Sequence, residues 1–267
     1  MRIKALFQRL REQKRPALVA YLTAGDPSPD RTADLVAALE RGGVDLIELG
    51  VPFSDPIADG PVIQSASERA LQAGTSLASV LEIAEQIRSR SEIPMILFSY
   101  LNPIFRFGVE ALGREANRCG IDGCLLTDLS VEEADQTVTA MRAAGLDTVF
   151  LASPTSPQRR MELVAKYSTG FIYLVSRTGV TGERQNIESS LETLVRSMRE
   201  VTDTPLAVGF GISTPEQAAE VGRLADGVVV GSAFVRLVEQ NLHSPDLERK
   251  LEEFARSLST ALHGVAA

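Results

Sequence analysis

A chain of 267 residues, 44% of them hydrophobic, is long enough to bury one large core, and barrels of alternating strands and helices commonly reach this size as one domain. Its formal charge of -8 offers no basic field to a phosphate backbone, which argues against a nucleic-acid partner. Two cysteines and two histidines are too few for a disulfide framework, a zinc site or a histidine-based triad. Proton transfer would then rest on carboxylates, lysine or tyrosine.

The first residues of the chain predict a short leading helix. Ile3, Leu6, Phe7 and Leu10 are spaced as on one face of a helix, which would suit covering one end of a barrel. The segment lacks the uninterrupted apolar run and the cleavage site of a signal peptide. No stretch of the sequence approaches the roughly 20 apolar residues that span a bilayer. We therefore expect a cytoplasmic protein without membrane contact.

Eight short apolar runs, rich in β-branched residues, alternate with helical patterns, as expected of parallel strands covered on both faces. They span residues 17–23, 45–50, 94–100, 123–128, 148–152, 171–176, 206–210 and 227–230. Strands that alternate with helices imply parallel crossovers, and eight such units favour a closed barrel over an open sheet. We predict an α/β fold, a (β/α)8 TIM barrel with an extra N-terminal helix, in which residues 1–267 form a single domain.

Polar residues mark several predicted helix starts. Ser130 with Glu133, and Ser213 with Glu216, match the capping box, in which each side chain pairs with the other residue's backbone N–H. Ser156 stands before a proline, as an N-cap residue followed by proline at the first helical position would. These signals predict three helices that begin shortly after strands.

One carboxylate interrupts the apolar second strand. Alternation along the strand predicts that Leu46 and Glu48 point to one face and that Ile47 and Leu49 point to the other. Glu48 would then face the barrel mouth, where burial raises its proton affinity towards working pH. A glutamate paired with a buried lysine or arginine is an equally good interpretation of the strand alone.

Two connections, residues 51–65 and 177–190, are richer in glycine and proline than a simple turn requires. Loops that follow the carboxyl ends of barrel strands build the active site. The first of them contains Asp55 and Asp59, although aspartate before proline or glycine is also ordinary turn chemistry.

Glycines follow the last three predicted strands, where many such barrels bind phosphate. The candidate residues are Gly182, Gly211, Gly231 and Ser232. A short helix that begins near Ser232 would point its positive end at the anion. A single Gly-x-Gly such as residues 209–211 favours a turn, whereas four such residues at the expected strand ends favour a phosphate site.

The stretch from Leu46 to Gln64, LIELGVPFSDPIADGPVIQ, resembles the signature of the tryptophan synthase alpha family. The resemblance continues at residues 23–27, 176–182, 209–213 and 231–233, in order along nearly the whole predicted barrel. It implies that Glu48 and Asp59 are the two catalytic carboxylates and that Tyr173 is an active-site tyrosine. It also implies an apolar slot for an indole ring, lined by Tyr21, Phe98, Tyr100, Leu125 and Phe210.

The resemblance implies a lyase of tryptophan biosynthesis, which cleaves indole-3-glycerol phosphate into indole and glyceraldehyde 3-phosphate. The chain itself would need no metal and no organic cofactor. Its partner would be a pyridoxal-phosphate-dependent beta subunit in an alpha2-beta2 heterotetramer, with contacts near Pro52, Asp55 and Asn102. Residues 177–182 would form a mobile lid. Ser130 departs from the family, which often has proline at that position, and this puts little in doubt because serine caps a helix.

Three other functions remain open at this point. A free-standing indole-3-glycerol phosphate lyase would keep the same site without a beta partner. A different sugar-phosphate barrel, such as an isomerase, would share the glycines but not the block from Glu48 to Asp59. A non-catalytic activator of a beta subunit would not need both carboxylates.

Overall fold

The structure is a computed structural model of the chain and describes residues 1–175, 184–209 and 211–264. For residues 184–189 it describes the backbone only. The strand segments in these ranges are β1 (Ala17–Thr23), β2 (Leu46–Gly50), β3 (Met95–Ser99), β4 (Gly123–Leu126), β5 (Asp147–Val149), β6 (Leu151–Ala152), β7 (Ile172–Val175), β8 (Leu206–Gly209) and β9 (Gly227–Val230). The helices are α1 (Arg2–Glu12), α2 (Thr32–Arg41), α3 (Pro61–Gln72), α4 (Leu77–Arg88), α5 (Leu101–Phe107), α6 (Val109–Arg118), α7 (Asp135–Ala143), α8 (Gln158–Tyr167), α9 (Arg184–Arg199), α10 (Pro215–Gly222), α11 (Ser232–Glu239) and α12 (Leu247–His263). Two 3-10 turns, Pro29–Arg31 and Val131–Glu133, precede α2 and α7.

The strands form one parallel sheet in the order β5-β4-β3-β2-β1-β9-β8-β7-β6. β5 and β6 are successive segments of the predicted fifth strand, and they pair with β4 and β7 on opposite sides. At their junction the backbone N–H of Tyr173 donates to the carbonyl of Phe150 at 3.0 Å, which links the two ends of the sheet. The prediction of a (β/α)8 TIM barrel is confirmed, with its fifth strand in two segments.

Alternating side chains on the strands build two apolar layers. Leu46 of β2 packs inside the barrel together with Val19 and Ile96. Ile47 and Leu49 face outward into the layer between the sheet and the helices. Both faces of the strand are buried, which explains why the runs read as continuously apolar in the sequence. The same alternation gives Glu48 the parity of Leu46, on the interior face.

The leading helix α1 closes the end of the barrel where the strands begin, as predicted. Its buried residues Ile3, Leu6, Phe7 and Leu10 belong to the same apolar cluster as the inward-facing strand residues. The Phe7 ring contacts that of Phe171 at a centroid distance of 5.9 Å. A polar substrate therefore has to enter from the opposite end, where the carboxyl ends of the strands lie.

The predicted helix caps need correction. Ser130 does not cap the following turn, because its hydroxyl donates to the side chain of Glu132 instead. The N-cap of α10 is Thr214, one residue after Ser213, and its hydroxyl accepts from the N–H of Gln217. α8 begins after Pro157 rather than at it. At Ser130 and Ser213 a neighbouring residue offered competing hydrogen-bond geometry, which spacing in the sequence does not reveal.

Both cysteines are buried and free. Among the helices of the described ranges, none is long and apolar enough to cross a membrane. The prediction that residues 1–267 form a single domain stays a prediction.

Candidate active site

Glu48 lies in the middle of β2, opposite Tyr21 of β1 and Ile96 of β3 in the strand register. Only 1% of its surface is exposed, and its Oε1 atom has no hydrogen-bond partner among the described residues. Burial raises the pKa of Glu48 to about 8, because the charged form loses its hydration. The glutamate can therefore hold a proton near neutral pH. The alternative of a buried ion pair has no support here, since no salt bridge of Glu48 is found within the described residues.

Asp59 ends the loop that follows β2, immediately before Gly60 and helix α3. The hydroxyl of Tyr100 donates to its Oδ2 atom at 3.0 Å and accepts from the N–H of Ala58 at 2.9 Å. The side-chain amide of Gln64, one turn into α3, donates to the carbonyl of Asp59 at 2.8 Å. Hydrogen bonds from Tyr100 and from Gln64 thus fix the loop at Asp59.

The charge state of Asp59 is also poised close to neutral pH. Partial burial raises the pKa of Asp59 to about 6, and the hydrogen bond from Tyr100 offsets part of this rise. Glu48 and Asp59 therefore differ in their expected protonation between pH 6 and pH 8: the first is protonated and the second is ionised. Two carboxyl groups with separated pKa values are what acid–base catalysis requires.

The charges of both carboxylates act on the phenol of Tyr21. Burial raises the pKa of the Tyr21 phenol, and the nearby charges of Asp59 and Glu48 raise it further. Its hydroxyl lies against Gly50, where a Cβ atom would stand only 2.3 Å away. Both acidic side chains thus lie near enough to Tyr21 for their charges to act on its phenol.

Tyr173 occupies the matching position across the barrel, on β7. Burial raises the pKa of its phenol, and the charge of Glu48 adds to the rise. Its hydroxyl lies against Gly209 at the end of β8, where a Cβ atom would again stand 2.3 Å away. Glycine at these two strand ends leaves room for tyrosine side chains to reach over the barrel interior.

Apolar residues line the floor and one wall of the mouth. The rings of Tyr21 and Phe98 meet edge to face at a centroid distance of 5.1 Å. Leu125 is fully buried in the interior layer with Ile96. Tyr100 lies one residue past β3 rather than on a strand, and its ring contacts Phe53 at 5.1 Å. Phe210, expected in the same slot, lies outside the described residues.

The expected phosphate end is described in part. Gly231 is the N-cap of α11, and Ser232 is the first residue of that helix, so its first N–H groups lack partners within the helix. Gly231 also lies beside the Tyr21 side chain, with its missing Cβ 3.4 Å from that of Tyr21. Gly211 is exposed and has a φ of 81°. Gly182 and the expected lid at 177–182 lie outside the described residues.

Sequence reasoning did not single out the residues that support these side chains. Gln64 and the bond from Tyr100 to Asp59 were not assigned, because their partners become neighbours only in the folded chain. A glutamine five residues after an aspartate that precedes glycine and proline was the available signal for the first of these contacts. In the described part of the chain, no group of three or more His, Cys, Asp or Glu residues could hold a metal ion.

Comparison with known proteins relates the whole chain to one family. The family described as Tryptophan synthase alpha chain matches residues 7–263. The chain is 65% identical over 257 residues to the tryptophan synthase alpha chain of Solibacter usitatus (strain Ellin6076), covering 96% of each. It is 47% identical to that of Geotalea uraniireducens (strain Rf4), covering 99% of this chain and 98% of the relative.

Solved structures give the same relationship for the fold. The tryptophan synthase subunit alpha from Legionella pneumophila str. Paris superposes with a TM-score of 0.91 at 36% identity, covering 98% of each chain. A chain of Mycobacterium tuberculosis tryptophan synthase superposes with a TM-score of 0.89 at 34% identity, again covering 98% of each. Sequence and fold therefore point to the same relatives along almost the entire chain.

Proposed function

The chain belongs to the tryptophan synthase alpha chain family, and from this premise we propose that it is the lyase that cleaves indole-3-glycerol phosphate into indole and glyceraldehyde 3-phosphate. The observation that carries the proposal is Glu48, a buried carboxyl inside a barrel mouth, with a pKa of about 8 and one oxygen that has no hydrogen-bond partner in the described part of the chain. A group with this pKa can both give and take a proton at neutral pH.

Glu48 first acts as the general acid. Cleavage requires protonation of the indole ring at the carbon that bears the glycerol chain, because the protonated ring then accepts the electron pair of the breaking bond. Near pH 7 the Glu48 carboxyl retains its proton and can deliver it.

Glu48 then acts as the general base. The hydroxyl on the adjacent chain carbon loses its proton to the Glu48 carboxylate, and its oxygen forms the carbonyl of the aldehyde. The carbon–carbon bond breaks at the same time, and its electron pair restores the aromatic ring. The proton delivered to the ring and the proton taken from the hydroxyl balance, so Glu48 ends the cycle protonated.

Asp59 is assigned to the ring nitrogen. Ring protonation places positive charge on that nitrogen, and an ionised carboxylate that accepts its N–H hydrogen bond stabilises this charge. A pKa of about 6 keeps Asp59 ionised at neutral pH. Its fixed position, held by Tyr100 and Gln64, avoids reorganisation during the reaction.

The rest of the substrate fits the remaining candidates. Tyr21, Phe98, Tyr100, Leu125, Tyr173 and Phe210 are proposed to enclose the indole ring. The phosphate is proposed to bind at Gly182, Gly211, Gly231 and Ser232, where the amino-terminal end of α11 carries partial positive charge. The overall charge of -8 does not oppose this binding, because backbone N–H groups act over a few ångströms.

We also propose a beta subunit as the partner of this chain, with pyridoxal phosphate bound to that partner and not to this chain. The rim of the mouth exposes two large apolar side chains, Ile57 at 86% and Phe105 at 58%. Arg106 and Phe107, the residues that follow Phe105, line a cavity of about 430 Å³ together with Phe53, Asn102 and the otherwise buried Pro52. Exposed apolar side chains around a cavity are typical of a protein interface, which favours an alpha subunit over a free-standing lyase. An alpha2-beta2 assembly and a cytoplasmic location stay predictions.

Indole release tests the proposal directly. The purified full chain is mixed with indole-3-glycerol phosphate, alone and with a beta subunit, and indole is measured. We expect release by the wild type, faster with the partner, and a loss of about 100-fold or more in Glu48→Gln. Glu68→Gln, the same change at an exposed position of α3, serves as the matched control. A wild type that releases no indole under either condition would reject the lyase function.

A further inference from the structure

Arg69 of α3 makes three hydrogen bonds to two carboxylates that lie far apart in the sequence. Its Nε and Nη2 atoms donate to the two oxygens of Asp26 at 2.8 and 2.9 Å. Its Nη1 atom donates to Glu239 at 3.1 Å. Asp26 is only 3% exposed, whereas the side chain of Glu239 is 39% exposed. One guanidinium therefore joins a buried carboxylate and a partly exposed one.

The three residues belong to elements that surround the candidate active site. Arg69 lies near the end of α3, the helix that starts two residues after Asp59. Glu239 is the last residue of α11, the helix that starts at Ser232. Asp26 lies in the loop that follows β1, the strand of Tyr21. The arginine thus joins the helix behind the candidate catalytic aspartate to the helix behind the candidate phosphate site.

Packing between the same elements supports this connection. Ala66 of α3 and Val235 of α11 are buried with Tyr21 in one apolar cluster. The side chain of Thr75, just after α3, lies directly over Gly25, where a Cβ atom would stand 2.0 Å from its hydroxyl. α3 is therefore fixed against the β1 loop at two points, Thr75 and Arg69.

The chemistry of arginine is specific to this arrangement. Its planar guanidinium can bind one carboxylate with two parallel N–H groups and still direct a third N–H to another acceptor. Lysine keeps the charge but has no rigid fork, so it cannot hold both partners in one fixed geometry. Because helices are stiff, a shift at the end of α3 or α11 is carried to its other end.

We propose that Arg69 is a positioning residue that sets the separation between Asp59 and the phosphate site at Gly231 and Ser232. The proposal rests on the function proposed above. The substrate spans both sites, so an altered separation penalises the intact substrate, while each half of it still binds to its own site. A displacement of about 1 Å can lower the rate by about 100-fold.

Two variants test this role in the full chain. Arg69→Lys removes the fork, and Glu239→Gln weakens only the bond to α11 and leaves the pair with the buried Asp26 intact. Glu253→Gln is the matched control, because Glu253 also accepts from an arginine, Arg249, at an exposed position of α12. The measurements are the kcat/KM for indole-3-glycerol phosphate, the Kd values of indole and of inorganic phosphate taken separately, and the thermal midpoint.

We expect kcat/KM to fall by about 10-fold in Glu239→Gln and by up to about 100-fold in Arg69→Lys. The Kd values of the two separate halves, and every quantity in Glu253→Gln, should stay within about twofold of the wild type. These values are compared well below the thermal midpoints, so that all proteins are folded.

A lower midpoint with unchanged kcat/KM in Glu239→Gln would show that the bridge only stabilises the fold, and it would overturn the proposal. Equal weakening of both separate halves would overturn it as well, because that indicates general distortion. If Arg69→Lys does not fold, Glu239→Gln alone decides. Failure of the wild type to cleave the substrate rejects the proposed function itself. That outcome is distinguishable from failure of the Arg69 proposal, in which the wild type and the variants are all active.

Discussion

At the scale of single residues, Glu48 and Asp59 differ mainly in how far water is excluded from them. Glu48 is fully enclosed, and its Oε1 finds no partner among the residues that the structure describes, so burial alone raises its pKa to about 8. Asp59 is partly exposed and accepts a hydrogen bond from Tyr100, so its pKa rises only to about 6. The same type of group thus becomes a proton donor in one position and a fixed negative charge in the other.

This difference predicts a bell-shaped pH dependence. Below about pH 6 Asp59 becomes protonated and loses its charge, and above about pH 8 Glu48 loses the proton that it must deliver, so kcat/KM should be highest at about pH 7. Asp59→Asn should lose the acid limb and about 100-fold or more of the activity at the optimum. Indole release measured from pH 5 to about pH 9 checks this. An acid limb that persists unchanged in Asp59→Asn would remove the role assigned to this residue.

Tyr100 should tune the acid limb. Its hydroxyl stabilises the ionised form of Asp59, so Tyr100→Phe should raise the pKa of that carboxyl and move the acid limb of kcat/KM to higher pH. Tyr167→Phe is the control, because the Tyr167 hydroxyl likewise donates to an aspartate, Asp135, at 3.0 Å outside the barrel mouth. The pH profile of each variant is measured against the wild type. A shift of the limb in both variants, or in neither, would contradict this explanation.

At the scale of elements, the sequence predicted all eight strands because each run is apolar on both faces. It also predicted α1, whose four buried residues show helical spacing. Local competition between hydrogen bonds decided the helix caps, and the predictions at Ser130 and Ser213 were wrong for this reason. Nearest-neighbour patterns cannot separate such alternatives.

The candidate site was likewise predictable only in part from the sequence. Glu48 stood out in the sequence because a charge in an apolar strand needs an explanation. Asp59 was indicated by the resemblance of residues 46–64 to the family signature. The supporting contacts from Tyr100 to Asp59 and from Arg69 to Asp26 join residues more than 40 positions apart. Contacts of this kind depend on the relative placement of whole elements, so a single sequence does not display them.

The loop after β2 and helix α5 should form part of the partner interface. Phe105 exposes 58% of its surface, and its neighbour in the chain, Arg106, lines the cavity at Pro52. Phe105→Ala should weaken binding of a beta subunit by about 30-fold, as expected when a central aromatic residue is truncated at an interface. Its activity without the partner should not change. Titration calorimetry with the beta subunit measures the effect, and unchanged affinity would exclude Phe105 from the interface.

At the scale of the whole molecule, the helices that lead back to the start of the next strand, such as α2, α4 and α6, run from the mouth end of the barrel to the α1 end. Arginine or lysine occupies the last turn of α1 to α9 and of α11. Basic residues there offset the partial negative charge of the helix ends. The amino termini of these returning helices are directed towards the mouth. A chain with net negative charge can thus present positive potential to a phosphate at one end.

The α1 end also contains an aspartate motif that recurs along the sequence. A short Gly-x-Asp sequence precedes or opens β2, β4 and β5, at Asp45, Asp122 and Asp147, and Asp226 takes the same place before β9. Three of these aspartates accept an N–H from the neighbouring strand and bind an arginine: Asp45 with Leu18 and Arg15, Asp122 with Met95 and Arg88, and Asp226 with Leu206 and Arg199. These three aspartates thus join adjacent strands at the α1 end of the barrel. The helix ends there offer carbonyl groups rather than free N–H groups.

Asp147 is the exception, because neither of its carboxyl oxygens has a hydrogen-bond partner among the described residues. Burial raises the pKa of Asp147, and the Thr169 hydroxyl and the chain's amino terminus offset only part of the rise. Compared with the unfolded chain, the folded protein therefore holds the Asp147 proton to a higher pH. Ionisation of Asp147 then lowers stability as the pH rises from the unfolded pKa of about 3.9 through the higher folded value.

Asp147→Asn should remove this penalty and increase the free energy of unfolding at pH 7 by about 1 kcal/mol, with a gain that shrinks as the pH falls towards about 4. Asp122→Asn, the same change where the carboxylate is paired with Arg2 and Arg88, should instead cost about 3 kcal/mol at pH 7. Urea denaturation at both pH values measures the two differences. If Asp147→Asn were destabilising at pH 7, the carboxylate would have a stabilising role in the fold, and its unpaired burial would not be a cost.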